Sequence, residues 1–137
     1  MVKRFKLIMT TNPYIFQQSA KTPLINFDSN GNFELRGKSI PENTVVFYKP
    51  LFLWLDNYSQ NPAPNTILNI QLDYFNTSSS KSIVDLFKKL ELISKNGQSE
   101  TTINWLYNEE DDDMLEAGED YKSIIKIPFN LVSFAKK

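Results

Sequence analysis

The sequence predicts a single α/β domain built on a mixed sheet with helices. Three observations lead there. The chain has 137 residues, the size of one domain, and 41% of them are apolar, enough to bury a core. Segments that alternate polar and apolar residues with period two are separated by segments of helical period. Two strand–helix–strand units follow one another, and such crossovers lay strands parallel.

In chain order, residues 5–9 read as a short strand. Asn12-Pro13 reads as a turn, because the residue before a proline avoids the helical region. Pro23-Leu24-Ile25-Asn26-Phe27 is a strand, Asp28-Ser29-Asn30-Gly31 a turn, and Asn32-Phe33-Glu34-Leu35-Arg36 the returning strand of a hairpin. Ser39-Ile40-Pro41-Glu42 reads as a helix start, with Ser39 as cap, Pro41 in the first turn and Glu42 at the positive end of the helix dipole. Val45, Val46, Tyr48, Leu51, Phe52, Trp54, Leu55 and Tyr58 follow and surround that helix. This predicts a well-buried helix, kinked or broken near Pro50.

A central strand over residues 66–75 carries Leu68, Ile70, Leu72 and Tyr74 on one face. An amphipathic helix comes next, with an apolar stripe of Ile83, Val84, Phe87, Leu90 and Ile93 and a stop at Asn96-Gly97. Residues 101–107 form a strand with Ile103, Trp105 and Tyr107 on one face. A short acidic helix ending near Gly118 follows, then a last strand or two over residues 124–134, with Pro128 at an edge or break. The expected order is β-β-α-β-α-β-α-β. Residues 1–21 are set apart as an N-terminal extension, and residues 22–137 form the domain.

Composition excludes several chemistries. The chain has no cysteine and no histidine, so it has no disulfide scaffold, thiol nucleophile, Cys/His zinc site or Ser-His-Asp arrangement. Its four glycines do not cluster into a phosphate loop. No apolar run approaches the roughly 18 residues that cross a membrane, and the apolar part of the N-terminus is too short for a signal peptide, so a cytoplasmic protein is expected. No cofactor is expected. The net charge of −1 conceals an asymmetry: residues 109–120 hold eight acids and no base. The rest of the chain sets 15 basic residues against eight acids, a balance of +7. Lys3, Arg4, Lys6, Lys88 and Lys89 form no aromatic-basic stripe, which argues against nucleic acid; Phe47, Tyr48, Phe52 and Trp54 read as core.

Two carboxylate readings remain. Glu109, Asp111, Asp113 and Asp120 have calcium-loop spacing, but Met114 stands where that loop turns on glycine and Asp120 stands where it uses glutamate. A solvated face or a partner-docking surface fits the segment better. A hydrolase reading would pair Asp73 with Glu42, and nothing in the sequence fixes their separation.

The junction Asn76-Thr77-Ser78-Ser79-Ser80-Lys81 carries the most chemistry. A buried strand delivers four consecutive hydroxyl residues to a helix N-terminus. There, free backbone N–H groups and the dipole stabilise an anion, phosphate above all, and Lys81 adds a charge one turn on. The plain alternative is that Thr77 or Ser78 only caps the helix.

This junction, after Leu72-Asp73-Tyr74-Phe75, resembles that of the SiaC family of bacterial regulatory phosphoproteins. Other pieces agree in order: Thr22-Pro23 and Phe27-Asp28; Gly37-Lys38-Ser39-Ile40-Pro41-Glu42-Asn43; and Trp105-Leu106-Tyr107 with the following acids and Glu116, Glu119 and Asp120. The resemblance spans residues 22–130. It implies a STAS-like fold and a switch protein without catalysis of its own. It implies phosphorylation of Thr77 by a dedicated Ser/Thr protein kinase, reversal by a PP2C-type phosphatase, and binding of the unphosphorylated form to a diguanylate cyclase, linking the protein to cyclic di-GMP. Asn76, Ser78, Ser79, Lys81, Pro41, Glu42 and Asn43 are then the residues expected to support the phosphosite or meet a partner. The other reading is a small α/β module that holds an anionic ligand or a protein noncovalently at residues 76–81. Neither nucleic acid nor membrane insertion is expected in either case.

Overall fold

The computed structural model describes residues 12–135. The strand expected at residues 5–9, and the basic residues Lys3, Arg4 and Lys6, lie outside them. The elements in order are β1 (Tyr14–Phe16), β2 (Leu24–Phe27), β3 (Asn32–Ser39), α1 (Thr44–Tyr58), β4 (Asn65–Phe75), α2 (Thr77–Lys95), β5 (Glu100–Asn108), α3 (Asp112–Ile124) and β6 (Phe129–Phe134). The chain is an α/β domain, and its described residues form one mixed sheet of six strands in sequential order. β1, β2 and β3 pair antiparallel, while β3 to β6 pair parallel through three helical crossovers. That is one strand more than the expected order holds, with the same three crossovers. The short β1, within residues 1–21, hydrogen-bonds to β2.

Alternation sorts the sheet into two faces. Ile25, Phe27, Phe33, Leu35, Leu68, Ile70, Leu72, Ile103, Trp105 and Phe129 are buried on one face. Ile83, Leu86, Phe87, Leu90 and Ile93 of α2, Tyr48, Leu51, Leu55 and Tyr58 of α1, and Met114 and Tyr121 of α3 pack against it, with Ile125 and Ile127 beyond α3. The other face is mixed, amides and charged groups standing beside Ile67, Leu106 and Val132. Asn104 donates to Asn69 at 2.9 Å and Asn130 donates to Asn104 at 3.0 Å, an amide ladder across β4, β5 and β6 that fixes their register from the solvent side. Among the described residues no helix is long and apolar enough to cross a membrane.

Four local expectations are corrected. Ser39 does not cap α1. It ends β3 fully buried, and Asn43 caps the helix instead, accepting from the Val46 N–H at 3.1 Å. α1 runs through Pro50 without a break: Pro50 is exposed, so water can hydrate the Val46 carbonyl that proline leaves without a donor. Nor is α1 buried all round, since Val45, Val46 and Leu53 are 76%, 64% and 55% exposed. Finally, Gly118 does not end the acidic helix. It is buried mid-helix, where a Cβ would lie 2.5 Å from Trp105 Cδ1 and 2.8 Å from Leu131 Cδ2. Glycine is what lets α3 approach the sheet this closely.

Tyr74 departs from its expected face for a related reason. The β3–β4 register slips between Gly37, opposite Leu72, and Lys38, opposite Tyr74. The extra residue inverts the alternation, so Tyr74 is 54% exposed while Phe75 packs near Trp105 and Tyr121.

Candidate functional site

Because β3 and β4 are parallel neighbours, the β3–α1 and β4–α2 connections emerge side by side at the same end of the sheet. This brings together the two segments that the sequence singles out separately, residues 37–43 and 76–81. At their carboxyl ends, Asn76 N–H donates to the Ser39 carbonyl at 3.1 Å. Open α/β sheets place their binding chemistry at this end of the strands.

The four hydroxyls of the α2 start have four different environments. Asn76 caps the helix, accepting from Ser79 N–H at 2.9 Å. Ser78 Oγ lies 3.1 Å from Asn76 Oδ1, to which it donates, and 2.7 Å from Thr44 Oγ1 in the first turn of α1. Ser79 is fully buried; its hydroxyl donates to the Ser39 carbonyl at 2.8 Å and sits 2.8 Å from Ser39 Oγ, which is 2.6 Å from Tyr48 Oη. Ser80 Oγ donates to the Thr77 carbonyl at 2.7 Å. Thr77 is exposed, and among the described residues its hydroxyl has no hydrogen-bond partner. The plain capping reading of Thr77 and Ser78 therefore fails, because Asn76 holds that position.

Around the junction, Asn43 caps α1, Pro41 is buried in the connection and Glu42 is exposed beside it. The first turn of α2 contains no acid, so nothing competes with an added anion there. Lys81 is exposed, four residues after Thr77 on the same helix face, and joins neither of the two salt bridges of the described residues, Arg36–Glu34 and Lys89–Asp56.

Sequence reasoning missed Thr44, Tyr48 and Tyr121. Tyr121 Oη donates to the Ser80 carbonyl at 3.4 Å, tying the acidic helix to the start of α2. Burial pushes both phenols up to about 12. The Ser39 hydrogen bond partly opposes this at Tyr48, and the Asp120 carboxylate adds to it at Tyr121. No sequence pattern marks these residues, whose partners lie on other elements.

The two carboxylate readings gain no site. Asp111 is the α3 cap, accepting from Met114 N–H at 3.0 Å. Asp73 accepts from Gln71 on the open sheet face, while Glu42 stands in the β3–α1 connection. Residues 110–113 instead line one side of a cleft of about 800 Å³ with Lys38, Gln71 and Asp73. Among the described residues no group of three or more acidic side chains is gathered as metal ligands are.

Against known proteins, a sequence model described as SiaC family regulatory phosphoprotein matches residues 16–134. A functionally uncharacterised protein of Pseudomonas aeruginosa (strain UCBPP-PA14) is 27% identical over 109 residues, covering 79% of this chain and 86% of its own length. Among solved structures, SiaC of Pseudomonas aeruginosa is 23% identical with a TM-score of 0.81, over 90% of this chain and 99% of that one. A chain in the crystal structure of the diguanylate cyclase SiaD in complex with its activator SiaC, also from Pseudomonas aeruginosa, is 24% identical with a TM-score of 0.82, over 88% and 99%. At these identities the structural likeness establishes the shared fold.

Proposed function

The chain belongs to the SiaC family of regulatory phosphoproteins, and from that premise we propose that it is a non-catalytic signalling switch, phosphorylated reversibly on Thr77 to control binding of a partner. One observation carries the assignment of the residue. Of four consecutive hydroxyls, Thr77 alone is both exposed and, among the described residues, free of side-chain hydrogen bonds, so a kinase reaches it without breaking the α2 start.

The chain itself tolerates the charge. A phosphoryl group adds about −1.5 to −2 at neutral pH. At the first turn of α2 it meets the positive end of the dipole, with Lys81 one turn on. A partner meets something else. The Thr44–Ser78 hydrogen bond sets the first turn of α1, with exposed Val45 and Val46, against that of α2. An apolar partner surface fits this small, uncharged and partly aliphatic patch, and a dianion within it is costly to desolvate.

The enzymes acting on Thr77 are a Ser/Thr protein kinase and a PP2C-type phosphatase, and the partner is a diguanylate cyclase. The cyclase is supported by the complex of the fold relative SiaC with SiaD. The test combines two measurements. Coexpressed with the host kinase, the wild-type chain gains one phosphate by intact mass and Thr77→Ala gains none; an equal gain in the variant overturns the assignment. Titrated against the host cyclase, the unphosphorylated protein binds and the phosphorylated one binds about tenfold or more weakly. Equal binding of the two overturns the switch.

A further inference from the structure

The far end of α2 carries a second feature that the switch does not use. Lys88, Glu91, Leu92, Ser94 and Lys95 form one wall of a groove of about 650 Å³; Ile124, Lys126 and Ile127, where α3 leads into β6, form the other. Leu92 and Ile124 are 59% and 51% exposed, unusual for large aliphatic side chains on facing walls. The charge is one-sided. Lys88, Lys95 and Lys126 are exposed, and among the described residues none forms a salt bridge. The one acid of the lining, Glu91, is already engaged, its carboxylate accepting from the Lys126 backbone N–H at 2.6 Å. Part of the chain's basic excess is thus concentrated around an aliphatic floor.

We infer that this groove docks an acidic amphipathic helix of a partner protein. Leucine-type side chains on one helix face would cover Leu92 and Ile124, and carboxylates flanking that face would meet the three lysines. A basic or neutral segment would leave the lysines uncompensated, and a purely acidic one would leave the aliphatic floor wet. The groove is also separate from the switch. From Thr77 to Leu92 the helix rises about 22 Å, more than twice the screening length at physiological salt. Docking at the groove therefore holds in both phosphorylation states, keeping a partner tethered while the other end of α2 is switched.

The test uses the whole chain and a fluorescent, capped peptide of about 14 residues made of Leu and Glu, with Leu at helical i, i+3, i+4, i+7 spacing. Fluorescence anisotropy should give saturable binding that weakens with added salt. Lys88→Glu with Lys95→Glu should weaken it about tenfold or more, as should Leu92→Ser with Ile124→Ser. Thr77→Glu should leave it unchanged. All four positions altered in the groove are exposed, and circular dichroism checks that each variant is folded. Absence of binding overturns the proposal. So does equal binding to the charge-reversed chain, or equal binding of a Leu/Lys peptide of the same pattern. Concentration-dependent sedimentation that Leu92→Ser abolishes would also overturn it, since the groove's occupant would then be a second copy of the chain.

Discussion

Thr44 Oγ1 and Ser78 Oγ lie 2.7 Å apart, so the first turns of α1 and α2 are joined by a hydrogen bond across 34 residues of chain. The bond makes one surface of two helix ends, and it leaves Thr77, the residue before Ser78, facing outward.

The four hydroxyls should separate by stability. Ser79→Ala removes a buried hydroxyl that bonds the Ser39 carbonyl and neighbours Ser39 Oγ, and should cost about 1–2 kcal/mol in urea denaturation. Thr77→Ala removes no side-chain hydrogen bond among the described residues and should stay within about 0.5 kcal/mol of wild type.

Gly118→Ala should destabilise by about 1–3 kcal/mol, because its Cβ would overlap Trp105 and Leu131. Trp105 Nε1 donates to the Met114 carbonyl at 2.9 Å, so the same variant should shift the tryptophan emission as α3 lifts. An unchanged spectrum and denaturation midpoint would contradict this packing.

Alkali should act through Tyr48 and Tyr121. Both phenols are held up to about 12 in the folded chain, against about 10 when unfolded. The folded state thus binds more protons between those values. Their contribution to stability is complete below pH ~10 and is lost as pH rises towards ~12. Phenolate absorbance should titrate late for Tyr48 and Tyr121, with Tyr14 also raised by its partial burial, and the urea midpoint should fall across the same window. Tyr48→Phe should remove part of that fall.

Val46→Ser and Leu53→Ser should barely change the denaturation midpoint, since both side chains face solvent. If the exposed side of α1 belongs to the partner surface beside Thr77, Val46→Ser should weaken cyclase binding by several-fold in calorimetry without altering phosphorylation of Thr77.

The order of the parallel elements was legible because periodicity is local. The alternation Leu68, Ile70, Leu72 and the stripe Ile83, Phe87, Leu90, Ile93 lie within single elements, and both are buried as that pattern requires. The errors fall where a tertiary contact overrides a local signal. Ser39 has the chemistry of a cap, but the sheet buries it against Ser79 and Tyr48, and Asn43 takes the role. Gly118 has the chemistry of a helix stop, but Trp105 lies against it, and there its lack of a side chain serves packing. α1 reads as buried because it is apolar all round, yet the number of faces a helix buries depends on its neighbours, which its own residues do not encode.

The sequence by itself determined the α/β class, the missing His and Cys chemistry and the asymmetric charge, all properties of composition and local order, and its motifs carried the resemblance to the family. Only the tertiary structure decided which hydroxyl is free. Thr77, Ser78, Ser79 and Ser80 are near-equivalent as text, and their difference arises from Asn76 capping the helix, Thr44 reaching across from α1 and Ser39 ending β3 beneath them. Those partners are brought within hydrogen-bonding distance by the parallel pairing of β3 and β4, a contact between segments far apart in the chain.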